Sequence, residues 1–201
     1  MRLVVVEWMS LDGVVQAPGA PDEDPSGGFA HGGWHLRWFD DSSRQWVVDQ
    51  LTTASAFLFG RRTYDRFAAH WPHVTGPERV VADPLNNKPK YVVSSSLTDP
   101  GWADSSVLPD VPAVAGLLKG GEGELHVIGS ADLAATLLAH DLVDELRLMV
   151  DPVRLGGGKR IWPEDGTLAA FRLTRCEPTG TGALLLHYAR DTDRDHAQGH
   201  D

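Results

Sequence analysis

The chain has a single cysteine, Cys176. That excludes an intrachain disulfide framework and any multi-cysteine metal site, and it makes a reducing, cytoplasmic setting the expectation. No apolar run is long enough to span a membrane. No secretory leader is expected, because Leu3-Val-Val-Val6 follows one positive charge and reads as a first strand. Basic residues are few: 18 Lys and Arg stand against 28 Asp and Glu in 201 residues, for a net charge of -10. A chain so balanced lacks the broad basic surface that nucleic acid or an anionic membrane needs, so neither is an expected partner. A local basic pocket for a small anion is still compatible with that balance. The G-x-G-x-x-G dinucleotide fingerprint is missing, and there is no internal repeat.

The nine histidines include His31/His35 and His196/His200 at i, i+4 and His70/His73 at i, i+3. A metal site of that kind needs an unbroken helix and further ligands. His31 lies in a Gly-rich loop, Trp71-Pro72 separates the second pair, and the last pair lies in a polar tail. No bound metal is expected.

With 42% hydrophobic residues the chain suits one globular domain, expected over 1–190, with a disordered tail over 191–201. Apolar, β-branched runs alternate with helical segments. Strands are expected at Leu3–Met9, Ala56–Phe59, Lys90–Ser95, Leu125–Ile128 and Asp144–Pro152. Helices are expected through Trp46, Val47 and Leu51 (capped by Asp40 or Asp41), over Thr63–Ala69, over Val111–Leu118 and up to His140. Phe171–Glu177 and Ala183–Arg190 form a closing hairpin around Thr179-Gly-Thr-Gly182. Residues 18–33, rich in Gly, Pro and Asp, form a long loop. Strand–helix alternation predicts a parallel sheet covered on both faces, with antiparallel strands at its end.

Three strand ends carry chemistry suited to anions. Val127-Ile-Gly129-Ser130-Ala131-Asp132-Leu133 runs from strand through glycine into helix, which brings backbone N–H groups close to a ligand at the positive end of a helix dipole. Phe59-Gly60-Arg61-Arg62-Thr63 repeats that arrangement with two guanidinium groups. Ser94 and Ser95 end a third strand in hydroxyls. In a parallel sheet these ends share one edge, where ligands of open α/β sheets bind. Asp12, in Ser10-Leu-Asp-Gly13 after the first strand, either bonds its own turn or orients a substrate. Trp34 either packs in the core or walls a flat heteroaromatic ligand.

Read in order, Ser10-Leu-Asp-Gly13, Phe59-Gly-Arg-Arg-Thr-Tyr64, Lys90-Tyr-Val-Val-Ser-Ser95, Val127-Ile-Gly-Ser-Ala131, Leu142-Val-Asp-Glu-Leu146 and Pro152-Val-Arg-Leu-Gly156 resemble the dihydrofolate reductase-like superfamily. Within it they are most similar to the branch related to the reductase domain of bacterial riboflavin-biosynthesis deaminase/reductases. The resemblance implies a three-layer α/β fold that binds NADPH across the carboxyl edge of the sheet. Gly60, Arg61, Arg62 and Thr63 would meet the adenosine-side phosphates, and Ser94 and Ser95 the 2′-phosphate end. Gly129, Ser130, Ala131, Asp132 and Leu133 would cradle the pyrophosphate, with Asp12 near nicotinamide and substrate. Ile128 stands where riboflavin-pathway reductases commonly carry an acidic residue. The implied activity is NADPH-dependent reduction of a small pterin-like, pyrimidine-like or carbonyl substrate, and the alternative is a non-catalytic NADPH-binding module. The resemblance also implies a homodimer, with Leu142–Val150 as a contributing segment.

Overall fold

A computed structural model describes residues 1–162 and 164–195. Its strands are β1 (Arg2–Ser10), β2 (Ala56–Gly60), β3 (Lys90–Val93), β4 (Ser105–Leu108), β5 (Glu124–Ile128), β6 (Glu145–Asp151), β7 (Phe171–Pro178) and β8 (Leu184–Arg190). They form one sheet in the order β4-β3-β2-β5-β1-β6-β8-β7. The first six of that order run parallel; β8 is antiparallel to β6, and β7 to β8. The expected α/β architecture, a mostly parallel sheet closed by an antiparallel hairpin, is the architecture observed.

The strands are apolar on both faces because both faces are covered. Along β1, Leu3 and Val5 point into one core with Val114 of α4 (Val111–Gly120) and Leu133, Ala134 and Leu137 of α5 (Ala131–Ala139). Val4 and Val6 point into the other, with Trp46 and Leu51 of α1 (Asp41–Thr53), Tyr64 of α2 (Arg61–His70) and Leu85 of α3 (Arg79–Asn87). Two helix layers thus sandwich the sheet. Of the two possible caps for α1, Asp40 serves: its carboxylate accepts the Ser43 N–H at 2.9 Å. Thr192–Asp195 forms one more turn, α6. The rest of the tail, with His196 and His200, lies outside the described residues.

Most of the segment 142–150, expected to contribute to a subunit interface, is buried within the chain itself. It leads into β6, which lies between β1 and β8 with nearly every residue buried. Val143, Leu146, Leu148 and Met149 are core residues, and Leu142 and Val150 pack partly buried against the core. Among the described residues no helix is long and apolar enough to cross a membrane, and no group of three His, Cys, Asp or Glu side chains is placed to hold a metal ion.

At the amino ends of the central strands sits a buried polar network. Arg147 donates to Glu145 at 2.6 Å, to Glu124 at 3.0 Å and to Gln50 at 3.1 Å, and Glu124 meets His126 at 2.8 Å. Burial is the main reason that His126 is lowered from 6.5 to about 4. Burial also pushes Glu124 up, but hydrogen bonds from His126 and Arg147 outweigh it and hold this carboxylate at about 2. An unfolded chain therefore takes up protons at His126 well before the native one does. Stability should fall as pH drops from about 6.5 to about 4, then further as Glu124 is titrated. His187, also lowered chiefly by burial, acts in the same direction. Thermal scans of wild type and His126→Gln between pH 7 and pH 4 check this: the variant should show a shallower decline, and parallel curves would refute the assignment.

Candidate functional site

In β2 and β3, Gly60 pairs with Val93; in β2 and β5, Leu58 pairs with Val127. Continuing that parallel register sets Gly60 level with Gly129, and Ser94 one residue beyond Val93 on the same edge. The three tips expected to converge therefore share one rim. The crossover after β2 carries α2 over one face, and that after β5 carries α5 over the other. Adjacent strands whose connections part to opposite faces open a crevice between them.

That crevice is a cleft of about 370 Å³. Its walls are Gly60 to Thr63, the turn Ile128–Leu133, and the segment Val15–Pro18 with Glu23 and Asp24; Glu7 and Trp8 of β1 also line it. The two helix-starting turns are tied together across it. The Gly60 N–H donates to Ser130 Oγ at 2.8 Å, and that hydroxyl donates to Thr63 Oγ1 at 2.7 Å. Gly129 and Ser130 are both left-handed, with φ of 65° and 66°. Such a backbone costs a non-glycine residue about 1–2 kcal/mol, and the two hydroxyl bonds offset it at Ser130. No side chain caps α2 at Gly60 or α5 at Ser130. Two sets of first-turn N–H groups are therefore left for a ligand, at the positive ends of two helix dipoles.

Cations border the same cleft. Arg61 is held by Asp65, its Nε donating to both carboxylate oxygens at 2.8 Å. Arg62 meets Asp132 only at 3.8 Å, with both side chains 77% exposed. Arg66 reaches Asp22 at 3.2 Å and Lys159 reaches Asp24 at 2.7 Å, which pins the long loop beside the cleft. Burial pushes Asp24 up, but hydrogen bonds from Lys159 and Ser26 prevail and hold it at about 2.

A family model described as the RibD C-terminal domain matches residues 2–185. The chain belongs to this family. The uncharacterized protein YyaP of Bacillus subtilis strain 168 is 28% identical over 144 residues, covering 70% of this chain and 77% of that protein. The fold is also found in solved structures. One, from Shewanella sp. PV-4, is provisionally named a riboflavin biosynthesis protein; its TM-score is 0.66 at 22% identity, over 95% of this chain and 99% of that one. Another is a pyrimidine reductase-like protein of Corynebacterium diphtheriae, with a TM-score of 0.61 at 12% identity, over 96% and 92%.

In this RibD C-terminal domain Gly60, Arg61, Arg62, Thr63, Gly129, Ser130, Ala131, Asp132 and Leu133 all line the cleft. Four other expected residues do not. Ser94 stands on the rim, but its Oγ closes its own turn by accepting the N–H groups of Ser96 and Leu97. Ser95 is exposed beside it. Trp34 is buried, and its Nε1 donates to the Gln16 carbonyl at 2.8 Å; it anchors the start of the long loop rather than walling a ligand. Asp12, expected to orient substrate or pass a proton, has both carboxylate oxygens engaged. Oδ1 accepts from the Leu155 N–H at 3.0 Å and from the Ser10 hydroxyl at 2.8 Å, and Oδ2 accepts from the Gly156 N–H at 2.8 Å. Led by the Leu155 bond, these hold it at about 2. Proton donation needs the opposite shift. The geometry makes Asp12 the staple between the turn after β1 and residues 155–156.

Glu7 carries no motif around it; its one signal in the sequence is an acid within an otherwise apolar strand.

Proposed function

We propose that this chain is an NADPH-dependent reductase of a small heteroaromatic or carbonyl compound. The carrying observation is the pair of uncapped helix starts, Gly60–Thr63 and Gly129–Leu133, facing one cleft and joined through Ser130. A dinucleotide has several phosphate groups to satisfy two such starts at once. Its diphosphate fits the turn at Gly129, where positive φ brings the backbone close to a ligand. Arg62, freer than Arg61, suits the extra phosphate that separates NADPH from NADH. Family membership supports a reductase-type role. The relative described as pyrimidine reductase-like supports a flat heterocycle as the acceptor class.

When bound, the reduced nicotinamide supplies hydride. The chain's part is to hold both partners in contact, to keep water out, and to manage the proton that reduction consumes. Trp8 lines the cleft, so binding is readable as quenching of tryptophan fluorescence. Titration should give at least tenfold tighter binding of NADPH than NADH, and Arg62→Ala should narrow that ratio several-fold. Equal or absent binding of the two nucleotides removes the cofactor assignment. Binding of NADPH without its oxidation across pterins, pyrimidines and carbonyl compounds would select the non-catalytic module.

A further inference from the structure

Glu7 is out of place by the ordinary rules of burial. It sits on β1, third in line after Val5 and Val6 in the middle of the sheet, and is 1% exposed. Its Oε1 has no hydrogen-bond partner, and no ion pair reaches it among the described residues. A buried carboxyl left without partners costs stability, so an apolar residue would serve the fold better. Yet Glu7 lines the ligand cleft beside Trp8.

The charged groups that border the same cleft come from every element around it. They are Glu23 and Asp24 of the long loop, Arg61, Arg62 and Arg66 of α2, Asp132 of α5 and Lys159 beyond β6. None of these cations pairs with Glu7: Arg66 meets Asp22, Lys159 meets Asp24, Arg61 meets Asp65, and Arg62, largely exposed, faces Asp132. The one charge that registers at Glu7 is that of Glu23, which repels a carboxylate. Burial first and Glu23 second raise Glu7 well above the usual carboxylate value.

We propose that Glu7 is the proton-donating residue of the cleft, offering its carboxylic O–H to the imine nitrogen or carbonyl oxygen of a flat, uncharged acceptor bound there. This deepens the reductase reading above and rests on it. Reduction of C=N or C=O consumes one proton at nitrogen or oxygen besides the two electrons and the hydrogen carried as hydride by the reduced nicotinamide. The Glu7 O–H bond breaks and the new N–H or O–H bond forms. Glu7 is left as a carboxylate, and water then returns its proton. An anionic acceptor would be disfavoured here, since Glu23 lines the same cleft and Glu7 becomes a carboxylate as it gives up its proton. The expected substrates are therefore uncharged at the reacting end.

The test starts with the protein alone, labelled with ¹³C at glutamate carboxyls. At pH 7 one resonance should lie at the position of an un-ionised acid, and it should be absent from Glu7→Gln. The second arm compares wild type, Glu7→Gln and Glu7→Leu in NADPH oxidation with the panel of pterins, pyrimidines and carbonyl compounds. Glu7→Gln should cut turnover about 100-fold or more, with NADPH affinity within about twofold of wild type and with an equal or higher thermal midpoint. Glu7→Leu should melt higher still. A wild type in which every glutamate is ionised at pH 7, or a Glu7→Gln enzyme of undiminished turnover, overturns the role of Glu7 while the reductase reading stands. A wild type that binds no NADPH overturns the reductase reading, and the proton-transfer role falls with it.

Discussion

Arg147→Met should lower the thermal midpoint by roughly 10 °C. The guanidinium is the shared counter-ion of Glu124 and Glu145, and all three are largely buried where β1, β5 and β6 begin. Removing one partner of a buried ion pair leaves an uncompensated charge, at a cost of about 3–5 kcal/mol. In a domain of this size 1 kcal/mol moves the midpoint by about 2–4 °C. Arg2, which also reaches both carboxylates, is more than half exposed and compensates only in part. Neutralising the stranded acids as well, in Arg147→Met/Glu124→Gln/Glu145→Gln, should recover most of the loss. The network lies at the opposite end of the strands from the cleft, so NADPH affinity in the single variant should stay within about twofold. A midpoint drop under about 3 °C, measured by calorimetry at pH 7, would show that the network is energetically slack.

Gly60→Val should weaken NADPH binding by at least tenfold. A Cβ at Gly60 would come within 2.9 Å of Ser130 Oγ and 3.1 Å of Ser130 Cβ. That hydroxyl cannot simply swing aside, because it accepts from the Gly60 N–H and donates to Thr63. The turns before α2 and α5 would have to separate, and the two helix starts would no longer present their N–H groups at one spacing. Overpacking of this kind costs about 1–3 kcal/mol of stability as well. Gly116→Ala is the matched control: it is exposed in α4, with open space around it, and alanine there should add about 0.5–1 kcal/mol by helix propensity alone. Retained affinity in Gly60→Val would mean that the contact between the turns does not set the ligand site.

The sheet is legible in the sequence because its inner strands are mostly apolar, with few polar residues among them. Leu3–Val6, Ala56–Phe59 and Leu125–Ile128 announce strands buried on both faces. Two elements were not legible. Ser105–Leu108 is a four-residue edge strand whose only pattern is Ser-Ser-Val-Leu. The helix Arg79–Asn87 carries Pro84 inside it, a residue that normally marks a helix boundary. Of the site, the anion-facing turns were readable because glycine, arginine and serine at strand ends have local chemistry. Ser130 was readable as a helix start, but its reach to the Gly60 N–H depends on β5 lying beside β2, a pairing that neighbouring residues do not encode. The contacts of Asp12 and Trp34 were hidden for the same reason. Both are typical of ligand sites, and only tertiary contacts, to Leu155 and Gly156 for one and to Gln16 for the other, show that their polar atoms are occupied.

The place of β5 bears on how this molecule matures. It slots between β1 and β2, both of which precede it by more than sixty positions along the polypeptide. A growing chain that has emerged only as far as α4 has one rim of the crevice and a gap where the middle of the sheet belongs. Closing that gap joins distant segments, a slow kind of step because chain entropy is lost before contacts compensate. Coenzyme recognition should accordingly switch on late during synthesis, once residues through Leu137 have left the ribosome, rather than building up strand by strand.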